Sequence, residues 1–260
     1  MPLSEMAVDE SAMQFFRFRK HKQPPRLSRS VRDYQALVQM HLRRQPDDPR
    51  FALANAIGAE TMEQFYAQGD AHVAVLRFHG LENGMNVYDL GCGCGRTAQA
   101  LQREGWTGNY IGADVVPELL AELARQCPDY RVVLNYNRTI DVDDASLDML
   151  FNWSVFTHLL PAESFLYMLD AFRALKPGGK LLFSFLELEE PEHNRVWHDE
   201  LERLRNGHDD EQLDTFLHRD WIRRFARDAG FSEPQFTSGT DGSNHPQFWQ
   251  AIAVMQKPYG

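Results

Sequence analysis

Apolar residues recur with two different periods along this 260-residue chain, and the change falls near residue 82. Before it, Val31, Tyr34, Leu37, Val38 and Leu42 follow helical spacing. Pro46-Asp47-Asp48-Pro49 then reads as a breaker, and 61–78 predicts a second helix with Phe65, Val73, Leu76 and Met62 on its apolar side. From residue 86 onward, short apolar runs alternate with helical stretches, as in crossover units on a parallel sheet. Runs at 87–90, 110–113, 130–134, 147–152 and 181–186 predict strands. Helices are expected at 97–103, where Gly105 stops the chain, and from Pro117, where proline suits a first turn. A further helix is expected at 164–175 with Ser164 as its cap, and Pro177-Gly178-Gly179 turns the chain into the fifth strand. The helix at 220–229 ends at Gly230, and 234–236 with 248–255 predict a closing pair of strands.

The stretch 187–214 interrupts this rhythm. It is rich in acids and carries His193, Trp197 and His198, and it reads as an insertion or substrate lid spanning about 187–218. Trp197 offers a stacking surface there, or packs on the core. The chain therefore divides into a helical extension, 1–81, and an α/β domain, 82–260. The formal net charge of -10 argues against nucleic acid or an anionic membrane as partner. A local exception is the basic stretch from Arg17 to Arg32, which reads either as a dock for an anionic acceptor or as a solvated arm. No continuous apolar run opens the chain, so the cytoplasm is the expected compartment. Three cysteines are too few for a disulfide framework. Cys92 and Cys94 lack further ligands at metal spacing, so no metal is expected.

The most specific signal is Asp89-Leu90-Gly91-Cys92-Gly93-Cys94-Gly95-Arg96-Thr97, lying between a strand and a helix. Glycines let the backbone bend sharply and approach a ligand, and the helix start offers unpaired N–H groups. The next strand ends in Asp114, at a distance that suits a carboxylate bonding ribose hydroxyls. This much points to an adenosine-containing ligand. A dinucleotide and a methyl donor both remain open at this point.

An acid two residues before the first glycine, with glycines at alternate positions, resembles motif I of class I S-adenosylmethionine-dependent methyltransferases. Leu147-Asp148-Met149-Leu150 followed by Ser154-Val155-Phe156-Thr157-His158-Leu159 is similar to that family's fourth motif, and Lys176-Pro177-Gly178-Gly179-Lys180-Leu181 to the turn before its fifth strand. The resemblance implies a doubly wound, mostly parallel seven-stranded Rossmann-type sheet, with S-adenosylmethionine as cofactor and S-adenosylhomocysteine as product. It implies that Gly91, Cys92 and Gly93 line the amino-acid and ribose moieties and that Asp89 orients the turn and reaches the ammonium through water. It further implies that Asp114 holds the ribose, Val115 packs on adenine and the backbone carbonyl of Asn152 lies near the sulfonium. Where the family carries an acid after the third strand, this chain has Asn135, whose amide oxygen keeps an acceptor for the adenine amino group.

Methyl transfer is an in-line displacement, so the protein mainly aligns the reactants and excludes water. A hydroxyl acceptor needs a base, and His158, His193, His198 and His245 are the histidine candidates, with Glu187 and Glu189 behind them. His193 and His198 read as solvated side chains of the acidic insertion. The catalytic residue itself stays unassigned. The acceptor expected is a small or sugar-like molecule, either neutral or anionic. The sequence leaves open a cofactor-binding protein without turnover and a nicotinamide-dependent oxidoreductase.

Overall fold

The computed structural model describes residues 28–207, 214–238, 246 and 248–259. Three helices precede the sheet: α1 (Arg29–Arg44), α2 (Pro49–Ala56) and α3 (Met62–Phe78). Each starts on a side-chain cap. Ser28 accepts from the Val31 amide at 3.3 Å, Asp48 from Phe51 at 3.0 Å and Thr61 from Gln64 at 3.1 Å. Pro49 thus does more than break the chain. It occupies the first turn of α2, where its missing N–H costs nothing.

The α/β part runs β1 (Asn86–Leu90), α4 (Arg96–Arg103), β2 (Asn109–Asp114), α5 (Pro117–Gln126), β3 (Arg131–Leu134), β4 (Leu147–Asn152), α6 (Pro161–Ala174) and β5 (Leu175–Phe185). It continues with α7 (Asn194–Arg205), α8 (Arg219–Ala229), β6 (Gln235–Thr237) and β7 (Ala251–Gln256). The strands form one seven-stranded sheet in the order β3-β2-β1-β4-β5-β7-β6. Pairings from β3 to β5 are parallel, and β7 runs antiparallel to both β5 and β6. Alternate residues serve opposite faces: Val87, Phe151 and Leu182 pack with α3, α4 and α5, while Tyr88, Leu150 and Phe183 pack with α6 and α8. Burial on both faces explains why these strands read as continuous apolar runs.

Two expectations need correction. The helix predicted at 164–175 begins at Pro161, and Ser164 is fully buried inside it instead of capping it. Proline at the first turn sets the start, and Glu163 Oε2 accepts from the Leu160 amide at 3.0 Å. The fifth strand begins at Leu175 and carries the Pro-Gly-Gly turn within it, with a register shift against β4 between Leu147 and Met149.

Candidate cofactor site

β1 pairs with β2 on one side and β4 on the other, so a crevice opens beyond their C-terminal ends. The turn 91–95 crosses this crevice with Gly91, Gly93 and Gly95 at φ 73, 54 and 89°. The amides of Gly91 and Cys92 donate to the Ala113 carbonyl at 2.7 and 3.1 Å, lashing the bend to β2. Space there is tight: a Cβ on Gly91 would run into a methyl of Val155. Asp89, Gly91, Cys92, Gly93, Asp114, Val115 and Asn135 all border one cavity. Asn152 does not. It is fully buried with neither amide atom partnered, and its neighbours Trp153, Ser154 and Val155 form that wall.

The two acids have different surroundings. Asp114 accepts three backbone N–H groups, from Val115 at 2.7 Å and Val116 at 3.0 Å on Oδ1, and from Gly93 at 2.9 Å on Oδ2. Oδ2 keeps room for one more donor. Burial raises the Asp114 pKa, and the three amides oppose the shift. Asp89 takes one hydrogen bond on Oδ2, from the Tyr110 hydroxyl at 2.6 Å. Burial pushes its carboxyl up to about 7, Tyr110 opposes this, and the nearby Asp114 charge adds to it. Asn135 braces its own loop, with Oδ1 accepting from Asn137 at 2.9 Å and Nδ2 donating to Thr139 at 2.6 Å.

Residues outside the glycine turn complete the cavity, and most of them escaped the sequence reading. Tyr34 of α1 lies over it, and Gln35 donates to the Val115 carbonyl at 2.8 Å. Gln39 reaches Glu118 at 2.6 Å, so α1 is fastened across the β2 side of the site. His72, from α3, meets Thr97 Oγ1 at 2.9 Å and packs against Trp153 with ring centroids 5.0 Å apart. Burial, reinforced by Arg96, drives the His72 pKa well below the ordinary value, so the ring is neutral. Its place was foreshadowed by spacing, since 65, 72 and 76 fall on one helix face. Its contact with Thr97 was not, because that joins distant segments.

The histidines named earlier separate clearly. His158 borders the cavity, and its Nδ1 lies 3.6 Å from Asp214 Oδ1. Burial, with Glu200 and Asp199 nearby, pushes the Asp214 carboxyl up to about 6 against the opposing charge of Arg203. His193 is not a solvated side chain: it is fully buried, accepting from the Glu187 amide at 3.0 Å and bonding the Trp249 carbonyl at 3.1 Å. This ring ties the chain after β5 to the C-terminal segment, away from the cavity. His198 is exposed on α7. His245 and residues 17–27 of the basic arm lie outside the described residues. No described residue of 187–214 borders the cavity, and Trp197 packs edge-on against Phe216 instead, 5.5 Å between centroids.

The donor set suits a nucleoside joined to an amino acid. A carboxylate with a spare acceptor, the apolar side chain of Val115 and a second acid line one cavity together with the glycine turn. Residues 87–179 match a family model described as "Methyltransferase domain". An arsenite methyltransferase from Aquipseudomonas alcaligenes is 27% identical over 197 residues, covering 70% of this chain and 53% of that protein. The chain thus spans about half the length of this curated relative. Among solved structures, the methyltransferase bound to the Trm112 activator of Haloferax volcanii has a TM-score of 0.61 at 18% identity, with 89% of this chain and 98% of that chain covered. Magnesium protoporphyrin IX methyltransferase from Synechocystis PCC 6803, with bound S-adenosylhomocysteine, has a TM-score of 0.59 at 16% identity, with 86% and 100% covered. At such identities these structures share the fold. Residues 87–179 thus match a methyltransferase domain, and the fold is the one shared by the class I S-adenosylmethionine-dependent methyltransferases.

Among the described residues no helix is long and apolar enough to cross a membrane, and no group of three or more His, Cys, Asp or Glu could hold a metal ion.

Proposed function

We propose that this chain methylates a small or sugar-like molecule that enters beside α1. Support comes from one cavity in which the motif residues and the cap residues Ser30, Val31 and Tyr34 meet. Bound S-adenosylmethionine supplies an electrophilic methyl on sulfur. The protein's work is then alignment and exclusion of water. Asp114 Oδ2 would take a ribose hydroxyl, Val115 and Asn135 would flank adenine, and Asp89 would face the ammonium. Asn152 would contribute its backbone carbonyl from behind the wall formed by Trp153. In this reading the helices before residue 82 cap the α/β domain, and the insertion at 187–218 serves elsewhere than at the cavity wall.

For a hydroxyl acceptor, His158 is the candidate placed to receive a proton, because it borders the cavity beside Asp214, whereas the His72 ring there is bonded to Thr97. His193 is committed to backbone and is set aside. The relative's name raises arsenite as an acceptor. A thiophilic species wants converging thiolates. Here Cys92 Sγ faces the Gly93 carbonyl at 3.6 Å and Cys127 Sγ faces Gln102 at 3.4 Å, with all three thiols pushed upward in pKa by burial. The cysteines therefore favour an organic acceptor, and the net charge of -10 disfavours nucleic acid.

The test pairs calorimetry with turnover. Asp114→Ala should weaken S-adenosylhomocysteine binding by roughly tenfold or more, the worth of a hydrogen bond to a charged group. Unchanged affinity would remove the ribose role. S-adenosylhomocysteine release across a panel of phenols, sugars, amines and arsenite then reports the acceptor. Tight binding with no turnover on any of them would mark a binding protein.

A further inference from the structure

We propose that Ser154 receives the O–H or N–H of the acceptor's reacting atom, and that Gln250, just before β7, fixes Ser154 as a hydrogen-bond acceptor only. The inference rests on the methylation reading above and adds two residues to it on the acceptor side.

Ser154 borders the cavity two residues after β4 ends, and its backbone stands at φ 57°. A side chain is strained there, whereas glycine would be free of that strain. Ala145 is the other described non-glycine residue with positive φ, and it lies in an exposed turn. At Ser154 two buried side chains, Ser184 and Gln250, hold the conformation. The Ser154 amide donates to Ser184 Oγ on β5 at 2.7 Å, and the Ser154 hydroxyl donates to Gln250 Oε1 at 3.0 Å. Gln250 is anchored on both sides. The Trp249 carbonyl bonds His193 Nε2 at 3.1 Å, and Ala251 of β7 pairs with Phe185 of β5. The wall residue is thus set by β4 and its two successors across the sheet, β5 and β7.

A serine hydroxyl has one hydrogen to give and two lone pairs. Gln250 takes the hydrogen, so Ser154 cannot donate to the nucleophile and tie up its electrons. Among the described residues nothing donates to Ser154 Oγ, and its lone pairs remain for an entering O–H or N–H. An acceptor held this way keeps its own lone pair for the methyl carbon, the alignment that in-line displacement needs. As that bond forms, the sulfur keeps the electron pair of the bond that breaks, and the acceptor's proton passes to His158 or to water. Neither Ser154 nor Gln250 changes protonation. The pair therefore selects a neutral hydroxyl or amine over an anionic oxygen, which has no hydrogen to donate.

Turnover on the acceptor found in the panel of phenols, sugars, amines and arsenite tests this, alongside S-adenosylhomocysteine calorimetry. Ser154→Gly relaxes the backbone and removes the hydroxyl, so it should melt no lower than Ser154→Ala. It should bind S-adenosylhomocysteine within about twofold of the wild type, yet lose roughly tenfold or more in kcat/KM. Gln250→Ala frees the serine hydrogen and should lower kcat while leaving the acceptor KM nearly unchanged. A smaller loss in Ser154→Gly overturns the proposal. So does a loss of S-adenosylhomocysteine affinity in step with turnover, which would mark a brace of the wall. Gln250→Ala with wild-type kcat overturns it too, as does turnover confined to arsenite, whose reacting atom carries no hydrogen. Wild-type protein that turns over nothing in the panel refutes the methylation reading itself.

Discussion

Asp89 shows how one buried carboxyl couples stability, pH and binding. Its ordinary pKa is 3.8, and in the fold it rises to about 7. Between those values the unfolded chain has released a proton that the folded chain retains. Stability from this group is therefore present at acid pH and is lost as pH climbs from about 4 to 7, levelling off above. The slope is at most about 1.4 kcal/mol per pH unit for one group. Urea titrations from pH 5 to 8 should show this fall, and Asp89→Asn should flatten it. A ligand ammonium favours the ionised form, so S-adenosylhomocysteine should raise the melting temperature more at pH 8 than at pH 6. An equal rise at both would place the ammonium elsewhere. At the neighbouring Gly91, alanine would have to adopt φ 73° and displace Val155, so Gly91→Ala should destabilise the fold and impair binding together.

At the scale of elements, α1 is tied to the α/β part by side-chain amides. α1 reaches the α/β part through Gln35 to Val115 and Gln39 to Glu118 and through a small apolar cluster around Val38. Replacing both glutamines by alanine should speed S-adenosylhomocysteine dissociation several-fold in stopped-flow fluorescence while leaving the sheet's unfolding midpoint nearly unchanged. An unaltered off-rate would show that α1 does not gate the cavity. The sequence disclosed the strand–turn–helix unit because Asp89, Gly91, Gly93 and Arg96 are contiguous and their geometry is local. It concealed the partners of Arg96 and His72, because Ile57 and Thr97 come from other segments. Ser164 misled for a related reason: its polarity suits a cap, yet Pro161 starts the helix a turn earlier. His193 looked solvated by its acidic neighbours, and only the return of the Trp249 segment buries it.

For the whole molecule, the strand order carries a consequence for synthesis. Among the described residues β7 comes last of the strands, yet it lies inside the sheet between β5 and β6, and β6 pairs with no strand but β7. Until residues 251–256 clear the ribosome, β5 presents an open, strongly apolar edge, with Leu181, Leu182 and Phe183 waiting for partners. Ribosome-bound nascent chains halted before residue 251 should be cleaved readily by protease, and chains extended well past 256 should resist. Early resistance would mean the parallel half holds without its antiparallel completion. The half that carries the glycine bend is thus made first and locked last, so this nascent protein is a natural client for chaperones that shield unpaired strands.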